Sequence, residues 1–323
     1  MQNFNYTVTK EDHENKLRIS ELVRRRFGFS SRMRSRIKRE GKVMRNGDPV
    51  NIWEIPEEKD LISIILPEEV SHFEPEQIPI DVIYEDDDLF IINKQPGVVV
   101  HPTKGHPAHT IANGIANHMN ETDNHFKMRF INRLDMDTSG LLLLAKSAYC
   151  QNDFMKQMEK NRVEKKYTAI VLGLMENDSG EIDLPIGRPS PESLTRCVKE
   201  DGRPSVTRYD VIERFHLSKS TMESEEEKEK TKGYTLVDIL LVTGRTHQIR
   251  VHMSHIGHPV AGDHLYGGEK IYLIERQALH SKSISFLHPF TGKQVSVEAP
   301  LPSDMTAALD KLRKLSVPGK SKK

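Results

Sequence analysis

Residues 128–146 read Met-Arg-Phe-Ile-Asn-Arg-Leu-Asp-Met-Asp-Thr-Ser-Gly-Leu-Leu-Leu-Leu-Ala-Lys. A polar, turn-like segment from Asn132 to Gly140 runs straight into the apolar residues 141–145. That run, bounded by Gly140 and Lys146, has the length and composition of a strand buried on both faces. A loop delivered to the end of a buried strand is a place where a scaffold holds reactive side chains rigidly. Asp135 and Asp137 stand there with Arg133, Thr138 and Ser139. Ordinary turn chemistry uses Asp, Ser and Gly in the same way. The stretch alone therefore leaves a structural turn and a reactive loop both open.

The chain around it has 323 residues, 36% hydrophobic and 29% charged, enough for one large domain and a small one. No apolar run is long enough to span a bilayer, and the N-terminus lacks a basic-then-apolar leader pattern. Two cysteines, Cys150 and Cys197, are too few for a disulfide framework and read as inert thiols in a reducing compartment. A cytoplasmic protein is expected. Its formal net charge of zero hides two opposed blocks. Between residues 16 and 45 twelve cations face only Glu21 and Glu40, a local balance of +10. Between residues 54 and 88 thirteen acids face Lys59 alone. Charge segregated in this way is an electrostatic footprint that suits nucleic acid.

Residues 1–15 are polar and predicted to be poorly ordered. Leu17, Leu22, Val23 and Phe27 predict an amphipathic helix, and residues 32–40 a second one that Gly41 stops. On the second, Arg32, Arg36 and Arg39 share one side, with Arg34 and Lys38 on the other. Strands are predicted at 42–45, 50–55 and 61–66, the first turning through Asn46-Gly47. The bland reading of this basic surface is a solvated face. The sharper one is contact with the phosphate backbone through Arg32, Arg36, Arg39 and Lys38. The acidic, proline-bearing segment 67–79 reads as a linker that keeps off RNA. Strands at 80–84 and 89–93, a helix at 110–118, a helix at 147–160 and a strand at 165–171 follow. Residues 218–233 are a charged, low-complexity loop. A strand at 236–242 leads into Thr243-Gly244-Arg245-Thr246-His247-Gln248-Ile249-Arg250-Val251-His252, with Thr246 as predicted cap of a helix ended by Gly257. The basic tail 311–323 is predicted to be flexible.

Arg133-Leu134-Asp135-x-x-Thr138-Ser139-Gly140-Leu-Leu-Leu-Leu-Ala resembles the first signature of the RluA/RluD-type pseudouridine synthases. Asn93-Lys94-Gln95-Pro96-Gly97, the Lys165-Lys166-Tyr167 strand, the Gly244–His252 segment, Gly262-Asp263 and Tyr266-Gly267 are similar to further motifs of that family. Gln95 stands where the family has a proline, and Asn132 where many members have His. The resemblance covers most of residues 80–302. Separately, Ser31-Arg32, Ile37, Gly41-x-Val43 and Asn46-Gly47 resemble the S4-like domain that grips structured RNA, over residues 15–66.

These resemblances imply an α+β protein. A small S4-like RNA-binding domain (16–66) is joined by the linker to a catalytic domain (80–310) built on a bent, mixed, mainly antiparallel sheet with a central cleft. They imply RNA as the partner, large-subunit ribosomal RNA ahead of transfer RNA, and a monomer that needs no cofactor. Asp135 becomes the catalytic carboxylate, Arg245 its cationic neighbour, Tyr167 a cleft residue that stacks on the displaced base and delivers or accepts the proton at ring carbon 5, and Arg133 an RNA contact that meets phosphate or fills the space the base vacates. The histidines 247, 252, 255, 258 and 264 invite a metal, but no His-Glu-x-x-His and no cysteine pair supports one, and no metal is expected. A glycine-rich phosphate loop and a Gly-x-Ser-x-Gly elbow are missing from the sequence. The competing class is an RNA-binding, ribosome-assembly protein that keeps the scaffold without the chemistry.

Overall fold

Three hydrophobic clusters divide the chain, one under a small N-terminal sheet and one on each face of a long mixed sheet. The computed structural model describes residues 2–27, 29, 31–66, 69, 71–217, 233–267 and 273–317. The loop 218–232 and the last tail residues, 318–323, lie outside these. No helix among the described residues is long and apolar enough to cross a membrane.

The N-terminal part runs β1 (Gln2–Thr7), α1 (Lys10–Glu14), α2 (Ile19–Arg25), α3 (Ser31–Glu40), β2 (Lys42–Arg45), β3 (Asp48–Pro49) and β4 (Leu61–Leu66). Residues 1–15 were expected to be disordered, yet β1 pairs antiparallel with β4 and buries Phe4 and Val8. Asp12 locks this start in place by accepting from Tyr6, Thr9 and Arg26. Burial alone would raise its pKa, but those donors outweigh it and hold the carboxyl down at about 2. Asn46 and Gly47, with φ of 54° and 98°, make the hairpin turn that the dipeptide predicts. The strand expected at 50–55 is replaced by the two-residue β3 and a turn, in which Asn51 and Glu54 satisfy neighbouring amides.

The second part contains β5 (Asp81–Glu85), β6 (Leu89–Lys94), α4 (Ile111–Thr122), β7 (Arg129–Phe130), β8 (Ser139–Ala145), α5 (Ala148–Glu159) and β9 (Glu164–Leu172). It continues with β10 (Ser179–Asp183), β11 (Ile186–Gly187), β12 (Cys197–Val198), β13 (Val206–His216) and β14 (Gly233–Leu241). It closes with α6 (Gln248–His255), β15 (Leu279–Leu287), β16 (Gln294–Glu298) and α7 (Ser303–Leu315). The strand order β10-β13-β14-β9-β15-β8-β6-β5 is antiparallel throughout except where β8 runs parallel to β15. This is the mixed, mainly antiparallel sheet that the sequence implied. Leu141, Leu142, Leu143 and Leu144 are each exposed by 1% or less, so each contributes about 1.5–3 kcal/mol of burial. The tail was expected to begin at 311, but α7 continues to Leu315, with Leu312 buried and Arg313 paired to Glu213.

The linker also differs from its expectation. Glu69 accepts from Arg36 of α3, from Lys127 and from buried Arg129 of the second part. Its acidity therefore fastens the two parts together. Phe4 and Phe29 extend the junction by packing on Tyr149, which meets Phe290 at 4.7 Å between ring centroids.

Candidate active site

The loop before β8 is fixed on every side. Asn132 stands beside β8 and behaves as one more rung of the sheet: its amide donates to the Leu141 carbonyl (3.0 Å) and accepts from the Leu143 N–H (2.8 Å). Farther along, Nζ of Lys94 donates to the carbonyl of Met136 and Nη1 of Arg276 to that of Asp137. Arg276 is itself held by a two-pronged pair with Asp304. Gly140 turns the chain into β8 at φ +106°, and a Cβ there would lie 2.2 Å from the Ser281 carbonyl oxygen. Only glycine permits that close parallel approach of β8 to β15.

Asp135 projects from this loop with its side chain 22% exposed. Its Oδ2 accepts from Nη1 of Arg250 at 2.9 Å. The remaining edge of the same guanidinium donates to both oxygens of Asp263, at 2.7 and 2.8 Å. Asp263 is fully buried and also accepts from the amides of Leu265 and Tyr266. Two carboxylates share one arginine fork, which fixes the direction as well as the charge. Burial alone would depress the Arg250 pKa, but its two carboxylate partners raise it well above the arginine range. Its guanidinium also stacks over the Tyr266 ring, 5.1 Å from the centroid.

His247 stands on the other side. The Tyr266 hydroxyl receives the Arg196 amide and meets Nδ1 of His247 at 2.8 Å. The hydroxyl thus joins the Arg196 amide to the imidazole and fixes the orientation of the ring. Burial lowers the His247 pKa, with the charge of Asp135 opposing, so the neutral ring is favoured. Nε2 lies 3.8 Å from Asp135 Oδ1, beyond hydrogen-bond reach, which leaves that oxygen available to react.

Tyr167 of β9 lies across from Ser281 of β15, which in turn faces Gly140, so one row of the sheet carries the phenol toward the loop. It is 5% exposed, and burial together with the charge of Asp135 pushes its pKa up to about 12. Lys94 is wholly buried; burial pulls its pKa down to about 7, and a neutral amine still has hydrogens for the Gln95 and Met136 carbonyls.

Arg245 does not hold the position anticipated for it. Its Nε donates to the Pro204 carbonyl and its amide to Gln248, while the contact with Asp135 belongs to Arg250. Nor is Thr246 the cap of α6: His247 takes the cap position in a left-handed conformation. The Thr246 hydroxyl instead receives Arg133, which is exposed. On α3, Arg39 and Lys38 are exposed as expected, whereas Arg36 is consumed by Glu40 and Glu69. The side chain of Arg32 lies outside the described residues. Three other histidines of the suspected cluster have structural partners: His252 with Thr207 and the Leu184 carbonyl, His258 with the Leu172 carbonyl, His264 with that of Glu275. Asp86, Asp88 and His288 bring ligand atoms within 4.8 Å of one another, but Asp86 is already taken up by Tyr84, His288 and two amides of its own turn. Lys94, Arg250, Asp263 and Tyr266 were all present in the quoted motifs without a role; their signal was position in those motifs.

A carboxylate offered from the end of a central strand, among arginines and beside a buried phenol, suits chemistry on a polyanion. A family model described as RNA pseudouridylate synthase matches residues 88–255. The chain belongs to that family, and so to the RNA isomerases. The uncharacterized RNA pseudouridine synthase YlyB of Bacillus subtilis is 39% identical over 280 residues, covering 85% of this chain and 87% of its own. Ribosomal large subunit pseudouridine synthase D of Vibrio parahaemolyticus is 34% identical over 333 residues, covering 95% and 94%. The solved human RNA pseudouridylate synthase domain containing 4 shares the fold, with a TM-score of 0.55, 21% identity, and 72% of this chain and 93% of that one covered.

Proposed function

We propose that this protein isomerises uridines in large-subunit ribosomal RNA, with Asp135 as the catalytic carboxylate. One observation carries the assignment of the residue: Arg250, itself braced by Asp263, pins one oxygen of Asp135 and leaves the other unbonded. The reaction breaks the bond from ring nitrogen 1 to the sugar, turns the base and joins the sugar to ring carbon 5. The proton lost from carbon 5 is balanced by one gained at nitrogen 1, so substrate and product are isomers and no oxidant or phosphate is consumed. The free oxygen of Asp135 serves either as nucleophile toward the sugar carbon or as base toward a sugar proton. Both routes require the uridine out of its helix.

Tyr167 keeps its proton at neutral pH, so its part is to face the displaced base and donate a hydrogen bond; accepting the proton from carbon 5 is disfavoured. Arg133 contacts the RNA beside the displaced nucleotide. The N-terminal part serves as an S4-like module that grips phosphates through exposed cations such as Lys38, Arg39 and Lys42. Two relatives named for the ribosomal large subunit support the choice of RNA. Mapping pseudouridines in cellular RNA with and without the gene tests it. Loss at sites in large-subunit ribosomal RNA is expected, and loss confined to transfer RNA contradicts it.

A further inference from the structure

The loop between β14 and α6 makes three contacts in four residues. His247 faces Asp135 across 3.8 Å, Thr246 receives Arg133, and Gly244 lies against the ammonium of Lys165. Lys165 belongs to β9, two residues before Tyr167, and so shares its side of the strand. Its stem is packed in the sheet, leaving the residue 9% exposed. A Cβ placed on Gly244 would lie 3.7 Å from Lys165 Nζ and would meet no other atom within 4 Å beyond its own chain neighbours. Gly244 itself is exposed, so the tip of the lysine comes out at an open corner of the loop.

Among the described residues that ammonium has no hydrogen bond and no ion pair. Burial depresses its pKa, the charge of Arg245 adds to the effect, and no carboxylate acts against them. Arg245 is exposed and its guanidinium donates only to the Pro204 carbonyl. Acids near in sequence are engaged elsewhere: Glu164 with Lys166, Asp201 with Lys199, and Asp135 with Arg250. A lysine is almost never buried to this extent without a partner, and the partner that fits two cations is an anion. The start of α6 adds to the same field, since His247 at the cap position accepts no helix amide with its side chain.

We propose that Lys165 and Arg245 form a seat for one backbone phosphate of the substrate RNA, a phosphate adjoining the displaced uridine. This rests on the functional reading above, since it supposes an RNA in the cleft. Two residues of strand set Lys165 about 7 Å from Tyr167 along β9, so the backbone is gripped beside the phenol that faces the base. The phosphate supplies the counter-charge that the buried ammonium lacks, and Arg245 meets it from the loop that also carries His247. The seat binds and positions the strand and touches no reacting atom.

The test uses the full chain and a synthetic stem-loop centred on a uridine whose modification depends on the gene. The RNA is made with ordinary phosphodiesters, or with one neutral methylphosphonate placed in turn at each linkage around that uridine. Kd and single-turnover modification are measured for wild type, Lys165→Met and Arg245→Gln. On ordinary RNA each variant should bind about tenfold more weakly, with the salt slope smaller by about one. Lys165→Met removes an unpaired buried cation and should keep or raise the Tm. Wild type should lose about tenfold in affinity at one methylphosphonate position, and at that position each variant should lose no more than about twofold further. Unchanged binding by the variants, losses that multiply at every position, or a marked fall in Tm for Lys165→Met would overturn the seat. A wild-type protein that bound the stem-loop without making pseudouridine would overturn the functional reading instead, and the Kd comparison would still decide the seat.

Discussion

Replacing Arg250 with methionine separates what the arginine does for the fold from what it does for the reaction. The substitution leaves the Asp263 carboxylate, fully buried, with only the amides of Leu265 and Tyr266. Breaking a buried pair by removing one partner costs about 3–5 kcal/mol. For a domain of this size that corresponds to a fall in Tm of about 6–20 °C. Asp135 simultaneously loses the 2.9 Å contact that orients it, and losing one such electrostatic contact lowers kcat about 10²–10³-fold. Adding Asp263→Asn removes the orphaned charge but keeps an acceptor for the two amides. The double variant should regain most of the lost Tm, read by calorimetry, while pseudouridine formation stays low, read by single-turnover assay. If activity returned along with stability, Arg250 would be a folding residue alone, and the reasoning about Asp135 would be refuted.

Lys94 releases its proton near pH 7 when folded but near 10.5 when unfolded, so between these values the unfolded chain binds more protons and stability rises with pH. Lys94→Met should remove that rise, seen as a smaller gain in Tm from pH 6.5 to 9 than wild type shows; equal slopes would contradict the buried, mostly neutral amine. Tyr167→Phe should lose about 1 kcal/mol or less of stability while single-turnover modification slows by tenfold or more, and wild-type turnover would remove the hydroxyl from the reaction. Glu69→Gln should weaken the junction by about 1–3 kcal/mol, seen as faster amide exchange in α3 and β7; unchanged exchange would show that the junction rests on the aromatic contacts.

The reactive loop was legible because its signal is local: polar turn residues abut an apolar run of strand length, and β8 covers that run. Its anchors were not. Arg250 meets Asp135 across 115 residues of sequence, and nothing local distinguishes it from Arg245 five positions earlier. The left-handed His247 settles the matter by starting α6 there, which carries Arg250 on the helix and leaves Arg245 in the preceding loop. Charge counting failed in the same way at Arg36, because Glu69, its partner 33 residues on, lay in a segment read as linker. The N-terminal strand was missed although Asn3-Phe4-Asn5-Tyr6 alternates as a strand does, because the run is short and its partner β4 is remote. The C-terminal helix did carry a signal, Met305, Leu309 and Leu312 at helical spacing, obscured by the lysines that follow.

The central claim is that the carboxylate of Asp135 performs the reaction. Asp135→Asn keeps the shape of the side chain and an oxygen for Arg250, so the variant should fold and bind transcribed large-subunit RNA. Under single-turnover conditions with enzyme in excess, nucleoside analysis of that RNA should then show no pseudouridine. Pseudouridine formed by Asp135→Asn at the wild-type rate would contradict the account.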